Sequence, residues 1–154
     1  MVAAKLRKPS PARSRNMAAI RATDTKPEMI VRRLLHGAGF RYRLHRRDLP
    51  GKPDLSLPKW NAVIEVHGCF FHSHDCHLVK SRPEANREFW AAKLDGNVAR
   101  DRRNADATRA LGIRRLVVWQ CALSGKEKLG EGSLLREICQ WLQSGELTGE
   151  LSGK

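Results

Sequence analysis

Hydrophobic positions recur at helical spacing in three stretches of the chain and alternate, or run together briefly, in four others. Thr25-Lys26-Pro27-Glu28 is a capping-box pattern with proline in the first turn, so a helix is predicted to start there. Met29, Ile30, Val31, Leu34 and Leu35 supply its buried face, and Gly37 or Gly39 ends it. Phe40, Tyr42 and Leu44 alternate with Arg41 and Arg43, as in a half-buried strand. After the turn 49–53, Leu55 and Leu57 alternate in a second short strand, and 58–61 turns the chain into a third, Ala62 to His67. Pro83 to Ala110 is predicted helical, with Phe89, Trp90, Leu94, Val98, Ala107 and Leu111 on the inner side, Gly96 as a point of bending and Gly112 as the end. Ile113 to Trp119 reads as a buried strand, and Leu134, Leu135, Ile138 and Leu142 mark a last helix over about 133–142.

The order helix, three strands, helix, strand, helix predicts an α/β fold: a single compact domain with a mixed central sheet flanked by helices. The domain is expected to span 25–143, between a basic N-terminal arm (1–24) and a loose, Gly/Ser-rich tail (144–154). The arm holds Lys5, Arg7, Lys8, Arg13, Arg15 and Arg21 against one acid, Asp24. Such a segment is either a solvated tail or an arm that orders on a phosphate backbone, releasing counterions as it does so. Met17 and Ile20 would give it a small apolar face for a groove.

Charge sharpens this picture. The 154 residues carry 29 Lys+Arg against 16 Asp+Glu, a net charge of +13, which makes a polyanion the expected partner. No stretch approaches the roughly 18 apolar residues of a membrane span, and the N-terminus lacks the apolar core of a secretory signal. A soluble, cytoplasmic protein is expected.

In that setting the four cysteines read as metal ligands or buried thiols rather than disulfides. Cys69, His74 and Cys76 lie close together, and Cys121 follows the strand ending at Trp119. If that strand neighbours Ala62 to His67, Cys121 reaches the same end of the sheet and completes a closed Cys₃His zinc site of structural type. His77 competes with His74 for the fourth place, and Cys139 reads as a buried hydrophobe.

Asp54 starts a strand, and Glu65 and His67 share one face of another. Carboxylates hold Mg²⁺ through oxygen, and His67 and His72 could move protons or bind a metal-bound water. The alternatives are a strand cap for Asp54 and a buried salt bridge to an arginine for Glu65.

Pro53-Asp54, with Glu65-Val66-His67 beginning eleven positions after Asp54, is similar to the nuclease pattern PD…(D/E)xK with His in place of Lys. The surrounding segments are more specific. Arg15-Asn16-Met17, Asp24-Thr25-Lys26-Pro27-Glu28, Leu49-Pro50-Gly51-Lys52-Pro53-Asp54, His67-Gly68-Cys69-Phe70-Phe71-His72, Phe89-Trp90-Ala91-Ala92-Lys93 with Asn97, and Val117-Val118-Trp119-Gln120-Cys121 together closely resemble the very short patch repair endonucleases, over about residues 14–142.

The resemblance implies a restriction-endonuclease-like core and a bacterial, nucleoid-associated enzyme that nicks DNA 5′ of the T in a T:G mismatch. Such mismatches arise when 5-methylcytosine deaminates within a methyltransferase site. It implies Asp54 as the central Mg²⁺ ligand with the Val66 carbonyl as a second contact. His67 and His72 would be catalytic, and Cys69, His74, Cys76 and Cys121 would hold zinc. Phe70, Phe71 and Trp90 would wedge beside the mismatch, where a weakly stacked wobble pair lowers the cost of insertion. Phe89 is expected in the core. Arg15, Asn16, Met17, Arg21, Lys93 and Asn97 would contact the nucleic acid, with Arg41, Arg43, Arg100, Arg102 and Arg103 on the backbone. The expected partners are double-stranded DNA bound by a monomer, mismatch-repair factors and a cognate cytosine methyltransferase.

Two positions depart from the family's usual pattern: Phe71 stands where Trp is common, and Glu65 where the residue is often apolar. Glu65 is expected to bind Mg²⁺ directly or through water. Other readings of the same residues are a restriction-type nuclease acting on unmismatched DNA and a non-catalytic, zinc-containing DNA-binding module.

Overall fold

The computed structural model describes residues 10–12, 23–79 and 82–153. Helix α1 (Lys26–Gly37) is followed by strands β1 (Arg43–Leu44), β2 (Leu55–Leu57) and β3 (Ala62–His67). Helix α2 (Arg87–Ala110), β4 (Arg114–Trp119), α3 (Glu131–Ser144) and β5 (Thr148–Leu151) complete the order. The sheet runs β1-β2-β3-β4-β5. The first three strands pair antiparallel, whereas β3–β4 and β4–β5 are parallel, giving the mixed sheet expected of the element order.

Strand periodicity divides β3 and β4 between two faces. Ala62, Ile64, Leu116 and Val118 meet Val31 and Leu35 of α1 and Leu134, Ile138, Trp141 and Leu142 of α3 in the main core. Val63, Glu65 and His67 alternate to the other face of β3, while Val117 and Trp119 join Cys69 and Cys121 in a second, smaller cluster. The register Glu65↔Val117 and His67↔Trp119 brings the end of β4 beside the polar residues of β3.

Helix α1 starts as its sequence dictates: the Thr25 hydroxyl accepts the Glu28 N–H at 3.3 Å. The return half of the box is displaced by one residue, since Glu28 Oε2 accepts the N–H of Asp24 at 2.8 Å. Its other oxygen meets His45 Nε2 at 2.5 Å.

Three expectations need correction. Helix α2 is unbroken at Gly96, where an added Cβ would meet nothing, and its inner face is apolar only at Trp90 and Leu94. Only Leu94 and Thr108 are buried along it, while Leu111 is 60% and Phe89 42% exposed. The helix instead faces the protein with Trp90, Asn97, Asp101 and Asn104, which fall on one stripe at spacings of 7, 4 and 3. The first strand is shorter than its alternation predicts. Phe40 and Tyr42 lie outside β1, anchored by Phe40 on Trp60 and by the Tyr42 hydroxyl donating to the Arg32 carbonyl at 2.9 Å.

Finally, the segment expected as a loose tail (144–154) contains an edge strand, Thr148–Leu151, which pairs with β4. Gly149 makes this possible: a Cβ there would lie 2.5 Å from Trp141 Nε1. Arg114 secures the approach, stacking on Trp141 and donating to the carbonyls of Trp141, Leu142 and Glu146 at 2.6–2.9 Å. Those bonds supply donors to the carbonyl-rich end of α3.

Candidate active site and metal cluster

A cleft of about 380 Å³ opens where the ends of β2 and β3 face α2. Asp54, the residue before β2, points one carboxylate oxygen at β3 and accepts the Val66 N–H at 2.7 Å. Burial, reinforced by the charges of Glu28 and Glu65, pushes the Asp54 carboxyl up to about 6 in spite of that hydrogen bond. A bound cation would relieve that electrostatic cost, so the site fits a hard divalent ion on oxygen ligands.

Glu65 and His67 project from β3 into the same cleft. Glu65 Oε2 accepts from Arg115 at 2.7 Å and pairs with His67 Nε2 at 2.9 Å. Burial alone would raise the Glu65 carboxyl, but the hydrogen bonds from His67 and Arg115 hold it below its ordinary value. The arginine salt bridge, weighed as the alternative to a metal role for Glu65, is thus present.

The His67 ring stacks on His72 at 3.9 Å and 9° between planes. His72 Nδ1 meets Asp101 Oδ2 at 2.6 Å, so α2 fixes the orientation of a loop imidazole. Asp101 is masked in the sequence by Arg100, Arg102 and Arg103 around it, which read as contacts to a phosphate backbone. Its spacing of four from Asn97 was the available signal. Glu28, read only as a capping residue, is buried and close enough to be felt at Asp54.

Beside the cleft, the loop after β3 gathers the soft ligands. Donor atoms of Cys69, His74, Cys76 and Cys121 all lie within 4.8 Å of one another. Tetrahedral zinc with Zn–S bonds near 2.3 Å needs ligand separations of about 3.8 Å, so the set fits with small adjustments. His74 Nδ1 and Cys121 Sγ are already 3.6 Å apart. Burial and the adjoining thiols Cys121 and Cys76 push the Cys69 thiol up to about 12, an arrangement that calls for a cation. His77 turns away and pairs with Glu127 at 3.0 Å. Cys139 lies apart, half-buried on α3.

Between ligands Cys69 and His74 the loop presents Phe70 and Phe71. These rings lie 5.2 Å apart, and Phe70 is 5.6 Å from Trp90 of α2. Phe89 packs on Trp90 at 5.5 Å and is the exposed member of this half-buried aromatic cluster rather than part of the core, because it sits outside the α2 stripe that meets the sheet. Lys93 Nζ lies 5.4 Å from the Trp90 ring centre, and Asn97 donates to the Phe71 carbonyl at 3.0 Å. The loop thus carries candidate metal ligands, half-buried rings and His72 on one short span. Arg15, Asn16, Met17 and Arg21 lie outside the described residues.

The profile of the family DNA mismatch endonuclease Vsr matches residues 8–78. The DNA mismatch endonuclease Vsr of Escherichia coli K12 is 43% identical over 130 residues, 84% of this chain and 83% of that one. The chain belongs to the Vsr family. The type II nicking enzyme V.XorIIP of Xanthomonas oryzae pv. oryzae is 47% identical over 116 residues, covering 75% of this chain and 85% of its own. The type II nicking enzyme V.NmeAIP of Neisseria meningitidis serogroup A is 39% identical over 128 residues, covering 82% and 91%. Within this Vsr-family chain, the matched span 8–78 includes Asp54, Glu65, His67, His72 and three of the four soft ligands; Cys121 and Asp101 come from beyond it.

Proposed function

We propose that the chain is a DNA mismatch-repair endonuclease that hydrolyses one phosphodiester 5′ of the T in a T:G mismatch. The observation that carries this reading is the convergence of Asp54, His67, His72 and Asp101 on one cleft, with Phe70 and Phe71 on the loop that supplies His72 and Phe70 packed on Trp90. Membership of the family supports it.

Asp54 and the Val66 carbonyl would hold Mg²⁺. When bound, the ion polarises the scissile phosphate and makes water a better nucleophile. His72, oriented by Asp101, accepts a proton from the attacking water, and His67 stacked on it restricts its ring. The products are a 5′-phosphate and a 3′-hydroxyl. Phe70, Phe71 and Trp90 enter the stack beside the wobble pair, whose weak stacking lowers the cost of entry. Lys93 and Asn97, with Arg100, Arg102 and Arg103 on α2, Arg41 and Arg43 near β1 and the N-terminal arm, hold the backbone. Zinc on Cys69, His74, Cys76 and Cys121 gives the loop its shape. A monomer on double-stranded DNA, acting in the bacterial cytoplasm beside a cytosine methyltransferase and mismatch-repair factors, fits this role. Among the described residues, no helix is long and apolar enough to cross a membrane.

The test is a strand-resolved nicking assay on one duplex carrying T:G, beside T:A and C:G counterparts, with and without Mg²⁺. A single Mg²⁺-dependent nick 5′ of the mismatched T is expected. Equal cutting of the matched duplexes would make the protein a restriction-type nuclease, and tight binding without cutting would leave a DNA-binding module.

A further inference from the structure

The C-terminal segment reaches the soft-ligand cluster at Cys121. Beyond β5, the N–H of Gly153 donates to Cys121 Sγ at 3.2 Å. Cys121 in turn donates its own N–H to Cys69 Sγ at 3.3 Å, so two of the three thiols receive backbone hydrogen bonds. Donors of this kind favour the thiolate over the thiol and orient its lone pairs for a metal.

The fit at residue 153 is close. A Cβ there would lie 2.6 Å from the Cys121 carbonyl oxygen and 2.8 Å from that of Glu127, both backbone atoms with little freedom to retreat. Glycine is therefore the residue whose amide can come this near the sulfur. The approach is guided by β5 pairing with β4, the strand that ends two residues before Cys121. Gly149, packed against Trp141, admits that pairing. Glu127 also holds His77 of the ligand loop, so the same turn meets both the C-terminus and residues following Cys76.

We propose that residues 148–153 complete the metal site: Gly153 is a positioning residue for the Cys121 thiolate, and the C-terminal strand stays docked only while the cluster holds its metal. The proposal rests on reading Cys69, His74, Cys76 and Cys121 as a metal site. Its consequence is that a segment remote from the cleft controls the placement of Phe70, Phe71 and His72. Losing its hold on Cys121 loosens the cluster that flanks them.

The experiment uses the full-length zinc-loaded chain. Zinc release to a chromogenic chelator is timed for wild type and Gly153→Ala, and hydrogen exchange of the 148–153 amides in the wild type is followed with zinc bound and after chelation. Release from the variant is expected to be at least about 10-fold faster, as for other groups that orient metal ligands. In the wild type, chelation should remove protection across 148–153 while leaving the α1–α3 core protected. Should Gly153→Ala fail to fold, the wild-type exchange measurement decides alone. Unchanged release, or amides that stay protected without metal, would overturn the proposal while leaving the metal site standing. A wild type that binds no zinc would overturn the metal reading and the proposal with it.

Discussion

The two polar centres of this protein share the loop after β3 and differ in how their groups are held. The soft cluster is closed: its four ligands face one another, Cys69 and Cys121 are fully buried, and the backbone donates to two of the sulfurs. The cleft is open, and its groups are held part-way through their partners. Asp54 is bound on one oxygen by Val66, and His72 on one nitrogen by Asp101. A closed set holds structure, whereas groups with unused valence can meet a substrate. The short span 68–76 belongs to both centres, so a metal held by the soft cluster would bear on the cleft without touching the reacting atoms.

Substitutions that separate the two centres sharpen the comparison. The largest effect on chemistry is expected from Asp54→Asn, with single-turnover nicking reduced by at least about 10³-fold. Its effect on stability should have the opposite sign. Because the folded carboxyl is raised from 3.8 to about 6, folding favours the neutral acid. The stabilisation is complete below about pH 4 and is lost as pH rises through about 6. In magnesium-free buffer above pH 6, the variant should therefore be more stable than wild type by about 3 kcal/mol, read from denaturant unfolding, with the gap closing below pH 4. A gap independent of pH would contradict the electrostatic account of Asp54.

Next in size, His72→Ala should slow nicking by about 10²- to 10⁴-fold, while Asp101→Asn should slow it less and leave DNA affinity unchanged. Equal losses of rate and affinity in Asp101→Asn would point to a DNA contact instead of an orienting role. Cys76→Ser should abolish tight zinc binding and lower the melting temperature, measured by metal analysis and calorimetry on one preparation. Smaller still, replacing Arg100 or Arg103 with Ala should weaken binding to matched and mismatched DNA alike and reduce the salt slope by about one unit. An unchanged slope would remove that side chain from the interface.

The two centres also differ in how far they could be read from residues alone. The soft cluster was legible because ligand chemistry is local: Cys69, His74 and Cys76 announce themselves by type and spacing, and the adjacency of β3 and β4 delivers Cys121. The cleft was legible in Asp54, Glu65, His67 and His72, which lie on or next to β2 and β3. Asp101 and Glu28 escaped because their roles depend on which element packs against the loop, something that neither a basic helix face nor a capping motif reveals. Glu65 shows the same limit from the other side, since its pairing with Arg115 depends on neighbours 50 residues apart in the chain. Helix α2 misled for a related reason: beyond Trp90 and Leu94 it meets the protein through polar side chains, so Phe89, Ala107 and Leu111 do not mark its inner face. The C-terminal strand was hidden by its length and by glycines that look like loop residues but are there to admit Trp141 and Cys121.

The most direct test of this division of labour is to measure zinc content and Mg²⁺-dependent nicking on the same preparation of Asp54→Asn. One zinc per chain, wild-type affinity for a T:G duplex and no nick is the predicted result. Loss of zinc in that variant, or nicking that survives it, would contradict the assignment of structure to one centre and chemistry to the other.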